Sequence, residues 1–222
     1  MAVTVLLGRC GDWARSWGLL SCALLLSAGA CAGRSEATPI SLYDNLSGSA
    51  AGDGSTSGSA WLGNQFSTAG GNYVLNSVTI KFVGTPSAPQ VALYNDSGDN
   101  TPGTTQLAIL THTGIFTAGD NTFSSSYADW LSDANYWIVL RNGGTWQYSA
   151  LTPTGPGSST AWAQSNNSGV NWGGQSDAPY QMQVMATAVV PEPATWALAA
   201  VGLGIAGWKG RRLLLSRPRA RG

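Results

Sequence analysis

Charge is scarce in this chain of 222 residues: eleven basic and eleven acidic side chains make 10% of it, well under half the roughly 25% of an ordinary soluble protein. So low a fraction excludes a charge-rich disordered chain and a coiled coil. Histidine occurs once, as His112 in Leu110-Thr111-His112-Thr113. A Ser-His-Asp or Cys-His centre therefore has a single available base, with no recognisable nucleophile motif beside it. The three cysteines, Cys10, Cys22 and Cys31, all lie near the N-terminus. A domain formed by the rest of the chain is expected to fold without disulfides and without a Cys-type zinc cluster. Between 40 and 189 no stretch of ten or more residues carries a helical period.

The net charge of zero conceals a segregation. From 35 to 190 there are two bases, Lys81 and Arg141, against nine acids, a net of −7. Lys209, Arg211, Arg212, Arg217, Arg219 and Arg221 crowd the end. Charge placed this way reads as a membrane address and not as a nucleic-acid patch, so no nucleic-acid partner is expected.

At the N-terminus Arg9 and Arg15 precede an apolar run from Trp17 to Ala28, followed by the small residues Ala28-Gly29-Ala30-Cys31-Ala32. That order is a secretory signal peptide, assigned to 1–32, with the Sec machinery and signal peptidase as its partners. Cleavage after Ala30 and cleavage after Ala32 both fit the small-residue rule. A lipidated Cys31 and an uncleaved anchor are the alternatives; the first lacks the usual upstream Leu, and the second has a core short for a spanning helix.

Near the C-terminus Pro191-Glu192-Pro193 is followed by uncharged residues from Ala194 to Trp208, then by Lys209, Arg211 and Arg212. Fifteen residues at about 1.5 Å each give a helix of roughly 22 Å, able to span a bilayer with thinning or snorkelling. Trp196 and Trp208 stand where interfacial rings stand, and the bases place the end in the cytoplasm. The order of signal peptide, Pro-Glu-Pro, apolar helix and basic end resembles the PEP-CTERM sorting signal of Gram-negative bacteria. The resemblance implies that an exosortase-type membrane protease cuts near Pro191, releasing or re-anchoring the protein in an exopolysaccharide-producing host. A plain anchor that is never processed is the alternative.

The middle, 33–190, reads as one all-β domain. Val78, Ile80 and Phe82 alternate with Thr79 and Lys81, and Tyr180, Met182, Val184, Ala186 and Ala188 share one face of another segment. Strands are also expected at 42–46, 60–68, 90–94, 105–113, 121–125, 136–141, 145–151 and 160–164. Turn chemistry fills 48–58, 85–89, 95–103 and 152–159, and a short helical turn is expected at 128–132. Nine or ten strands with one apolar face each argue for a two-sheet sandwich of jelly-roll type, with a closed barrel as the runner-up. Leu42-Tyr43-Asp44-Asn45, Trp61-Leu62-Gly63-Asn64-Gln65-Phe66, Val91-Ala92-Leu93-Tyr94-Asn95-Asp96 and Asn135-Tyr136-Trp137-Ile138-Val139-Leu140, in this order, resemble the choice-of-anchor R domain. That resemblance implies a cell-envelope setting and no activity.

Chemistry has few candidates here. A glycosidase needs two carboxylates about 5 to 9.5 Å apart; the nine acids cannot be paired from sequence, and most sit among Gly, Asn and Ser as turn residues do. The glycines of 48–54 lack the spacing and the lysine of a phosphate loop. Asn95-Asp96-Ser97-Gly98-Asp99-Asn100 gathers four oxygen side chains, Asp96 and Asp99 foremost, that suit calcium, although an Asx-rich hairpin turn explains them better and no cofactor is required. Trp146, Tyr148 and Trp172 carry flat rings among Asn, Gln and Ser, the combination that grips sugars. Trp146 and Tyr148 share a strand face that serves as well for the interior. The leading expectation is a non-catalytic exported protein, structural or adhesive beside exopolysaccharide. A lectin-like module and, third, a polysaccharide-active hydrolase are the alternatives.

Overall fold

The alternation that runs through Val78, Ile80 and Phe82 forms β4 (Tyr73–Phe82), whose inward residues are fully or almost fully buried. In the computed structural model the described residues are 37–132 and 134–189, with Leu203. The expected signal peptide and the apolar segment 194–208 lie outside the described residues. No helix among the described residues is long and apolar enough to cross a membrane.

Eleven further strands accompany β4: β1 (Ile40–Asp44), β2 (Ala50–Ser55), β3 (Trp61–Ser67), β5 (Gln90–Asp96), β6 (Pro102–His112), β7 (Gly119–Ser124), β8 (Asn135–Arg141), β9 (Thr145–Ser149), β10 (Trp162–Ser165), β11 (Gly173–Gln175) and β12 (Met182–Ala188). They belong to one compact unit, Ala37–Val190. The hydrogen-bonded order is β1-β12-β4-β7-β6-β5-β8-β3-β10-β11, with β9 beside β4 and β2 beside β9. All neighbouring pairs are antiparallel.

Two separate sheets were the expectation; the structure has one strongly curled, open sheet whose two wings pack in sandwich-like fashion. The reason is β6. Along most of its eleven residues it pairs with β5, but Thr111 and His112 at its end pair with Ser124 and Phe123 of β7. Register shifts at Leu93/Tyr94 and Tyr94/Asp96 interrupt the β5–β6 pairing toward the start of β6, away from the end that joins β7. Both wings then feed one core, in which Leu42, Phe66, Leu75, Val78, Leu93, Ile138, Trp146 and Val184 are buried together.

Buried amides fasten the wings. Asn64 Nδ2 donates to the Tyr43 hydroxyl at 3.1 Å and its Oδ1 accepts the Tyr180 N–H at 2.9 Å. Asn45 Oδ1 accepts the Met182 N–H at 2.8 Å. Each bond removes an otherwise unpaired buried group, which costs about 1 to 3 kcal/mol when left alone. Burial pushes the Tyr43 phenol well above its ordinary range, so it stays protonated.

Two local expectations are corrected. The glycines of 48–58 include a strand, β2, which pairs with β9. Gly52 and Gly54 lie against the hydroxyls of Tyr148 and Tyr180, so a side chain at either would collide with a ring. Without those side chains β2 has no period-2 pattern to read. The expected helical turn at 128–132 is absent; Leu131 is fully buried and bridges Tyr73 through backbone bonds of 2.8 and 3.0 Å.

A hollow on the outer face of the second wing

The strands β3, β5 and β8 bury both of their faces, and β10 beside them buries Ala163 and Ser165. Val91, Leu93, Tyr136, Ile138 and Leu140 point into the main core, while Ala92, Tyr94, Trp137 and Val139 join Ala161 and Ala163 in a second apolar cluster. Trp61 and Trp172 pack against this outer cluster. Gly63 makes the convergence possible. A Cβ there would stand 3.1 Å from Pro102 and 3.2 Å from the Trp137 ring, with the Trp172 ring at 3.6 Å.

Asp96 organises one side. Its Oδ1 accepts the Trp137 indole N–H at 2.6 Å and the Gln65 amide at 3.2 Å, and its Oδ2 accepts the Gly98 N–H at 3.0 Å. The turn after β5 is stiffened further. Ser97 Oγ accepts the Asp99 N–H at 3.1 Å, and Asn100 adopts a left-handed φ of 54°. Such self-contained Asx and Ser turns hold Asp99 and Asn100 in place.

The other side is the segment between β10 and β11. Asn167 Oδ1 accepts the Asn171 N–H at 2.8 Å and Ser165 Oγ accepts the Gly169 N–H at 2.9 Å. Gly169 passes against the Trp61 ring at a φ of 81°. Trp172 follows, half-buried and 6.5 Å from Trp61 between ring centroids. Beyond it, a Cβ on Gly174 would lie 2.8 Å from the Asn100 carbonyl oxygen, so only glycine lets β11 approach the turn this closely.

Between the two sides lies an open hollow of about 540 Å³, lined by Asp99, Asn100 and Thr101 on one flank, Gly174, Gln175 and Ser176 on the other, and Trp172. The fold thus joins two residues named from sequence, Asp99 and Trp172, that are 73 positions apart. Among the described residues, no protein partner bonds the side chains of Asp99, Asn100, Gln175 or Ser176. A half-buried indole ringed by unengaged polar groups is suited to a flat ligand with an apolar face and hydroxyl edges.

The other named residues sit elsewhere. Trp146 is fully buried, stacked on Tyr180 at 4.9 Å, and donates its indole N–H to the Gln181 carbonyl at 2.8 Å. It is therefore withdrawn as a ligand contact: the face it shares with Tyr148 is the interior. Tyr148 sets its edge on the same Tyr180 ring, 6.0 Å away, and does not line the hollow. The Asp96 oxygens, weighed as calcium ligands, accept three protein donors, and Asp96 does not line the hollow. Among the described residues no three of His, Cys, Asp and Glu gather as a metal site. His112 stacks on Phe116 at 4.5 Å, its Nδ1 lying 2.8 Å from the Thr122 carbonyl. Gln175 and Ser176 escaped sequence reasoning, since nothing but proximity in the fold relates them to Asp99 and Asn100.

Asp177 continues the second flank. Its carboxyl is held below the usual range, first by the Trp162 indole N–H at 2.9 Å and then by the Ala178 N–H. Pro191, Glu192, Pro193, Ala194, Trp196, Trp208, Lys209, Arg211 and Arg212 all lie outside the described residues. The last described bond before them runs from the Val189 N–H to the Asn72 carbonyl at 2.8 Å.

No curated protein is significantly similar to the chain. Residues 189–212 match the PEP-CTERM protein-sorting motif, the signal by which exosortase, a membrane protease, sorts the proteins that carry it to the cell surface.

Proposed function

We propose that the chain is an exported, non-catalytic component of the cell surface or extracellular matrix, structural or adhesive beside exopolysaccharide. The observation that carries this reading is the sorting motif at 189–212, which begins directly after the last strand, β12. Before processing, the segment 194–208 anchors the protein in the inner membrane; exosortase then cuts near Pro191. The likeness of 33–190 to a choice-of-anchor R domain supports the same envelope setting. The test is intact mass and location in the native host, comparing wild type with Pro191, Glu192 and Pro193 replaced by Ala. Loss of the tail in wild type, with a full-length membrane-bound variant, is expected. Retention of the tail by both proteins would reduce the motif to an anchor.

A second reading, carbohydrate binding, is favoured by one observation: Trp172 and four unengaged polar side chains share a hollow. A glycan array probed with the full-length chain tests it, and array signals that survive Trp172→Ala would remove the hollow from that role.

A further inference from the structure

Resting on that second reading, we propose that the Trp172 hollow takes a neutral sugar unit, and that the charge layout of the domain turns away uronate, sulfated and phosphorylated glycans. Stacking on an indole needs only the C–H face of a pyranose ring, so it does not itself select charge. Selection falls to the groups around the ring. The one ionisable residue lining the hollow is Asp99, an anion. Asn100, Thr101, Gln175 and Ser176 supply uncharged donors and acceptors, the kinds of group that pair with sugar hydroxyls.

Among the described residues, the cations that could have held an acidic sugar are engaged elsewhere. Among the described residues there are two Lys or Arg side chains, Lys81 and Arg141. Lys81 Nζ donates to the Leu46 carbonyl at 2.9 Å. Arg141 lies over the Trp61 ring, 5.1 Å from its centroid, and donates from Nη2 to Gln106 at 2.6 Å and from Nη1 to the Tyr94 hydroxyl at 3.2 Å. It does not line the hollow. Asp96 and Asp177, in the two chain segments that flank the hollow, add negative potential that a polyanion meets on approach. A calcium bridge between acidic sugar and protein would need several oxygen ligands, and Asp99 is the single carboxylate in the lining.

The experiment titrates the full-length chain, in detergent, with two oligosaccharides of equal length, one neutral glucan and one polygalacturonate, at 20 and 200 mM salt and with EDTA. Binding of the neutral oligomer is expected to persist in EDTA and to change little with salt, and Trp172→Ala should weaken it at least tenfold. The polygalacturonate should bind at least tenfold more weakly at low salt, and Asp99→Asn should narrow that gap. Equal or tighter binding of the polygalacturonate would overturn the charge selection and leave the sugar site standing. If neither oligomer binds, the carbohydrate reading itself fails. Should Trp172→Ala be poorly folded, Trp172→Tyr is the substitute, since it keeps a stacking ring and should lose only part of the affinity. Full loss with Trp172→Tyr in a folded protein would also count against a stacked sugar.

Discussion

The two wings of the sheet bury their residues differently. In the wing of β4 and β12, buried and half-exposed positions alternate, so each strand has one inward face. In the wing of β5 and β8, every residue from 91 to 94 and from 136 to 140 is buried. A strand covered on both faces needs a second layer, and here Trp61 and Trp172 pack over the outer cluster of Ala92, Tyr94, Trp137 and Val139. The hollow lies beside Trp172, where 99–101 faces 174–176. Function, on this reading, was added to the wing that had been thickened, while the alternating wing serves as the support.

The comparison is broken most violently by removing the ring that carries the outer layer. Trp137→Ala should destabilise the protein by about 4 to 5 kcal/mol, the upper part of the range for large aromatic truncations, because it also leaves Asp96 without its shortest donor. Denaturant unfolding measures this. Trp146→Ala, in the shared inner core, should cost about 3 to 5 kcal/mol, but it should leave ligand binding at the hollow unchanged in whatever fraction still folds. An equal loss of binding per unit of stability lost in both variants would mean that the layers are not separable.

Next in size is Gly174→Ala. The new Cβ meets the Asn100 carbonyl at 2.8 Å, a backbone atom that cannot rotate away. Overpacking of this kind costs about 1 to 3 kcal/mol, and here the strain should fall on the edge strand β11 and open the hollow. Hydrogen exchange should show faster exchange at 173–175 and unchanged protection in β4. Protection lost evenly across both wings would contradict an outer layer that responds on its own.

Those two wings also explain what could be read in advance. The alternating strands were legible: the inward set of Val78, Ile80 and Phe82, and that of Met182, Val184 and Ala186, are buried as their period indicates. The apolar run of 136–140 identified a strand, yet period-2 reasoning could not say that Trp137 and Val139 face a second layer, since a run buried on both sides carries no alternation. β2 was illegible because glycine, chosen to clear the Tyr148 and Tyr180 rings, erases the pattern. The continuous path through β6 was hidden as well, for a strand that changes partners keeps the same residue types throughout. Of the site, Trp172 and Asp99 were visible as unusual residues in polar loops, and their meeting was not. Trp146 misled because a tryptophan flanked by Thr145 and Gln147 looks the same whether its face turns in or out.

The smallest expected effect lies at the lip of the second flank and separates local electrostatics from packing. Trp162 donates to Asp177 at 2.9 Å and also sets its edge on Tyr180, with centroids 5.6 Å apart. Trp162→Phe keeps an aromatic ring and removes the donor, so the Asp177 carboxyl should move back up toward its ordinary value of about 3.9. The sign follows from the depressed folded pKa: the stabilisation is present above the unfolded value and is lost as pH falls through the folded one. Wild type should therefore lose slightly more stability than Trp162→Phe between about pH 5 and pH 2, and the two curves should run parallel above about pH 6. Carboxyl chemical shifts of Asp177, followed by NMR through the same range, assign the difference to this one group. Because the carboxylate is exposed, 0.5 M salt should shrink the gap; a gap indifferent to salt would point to the Trp162–Tyr180 contact as its source.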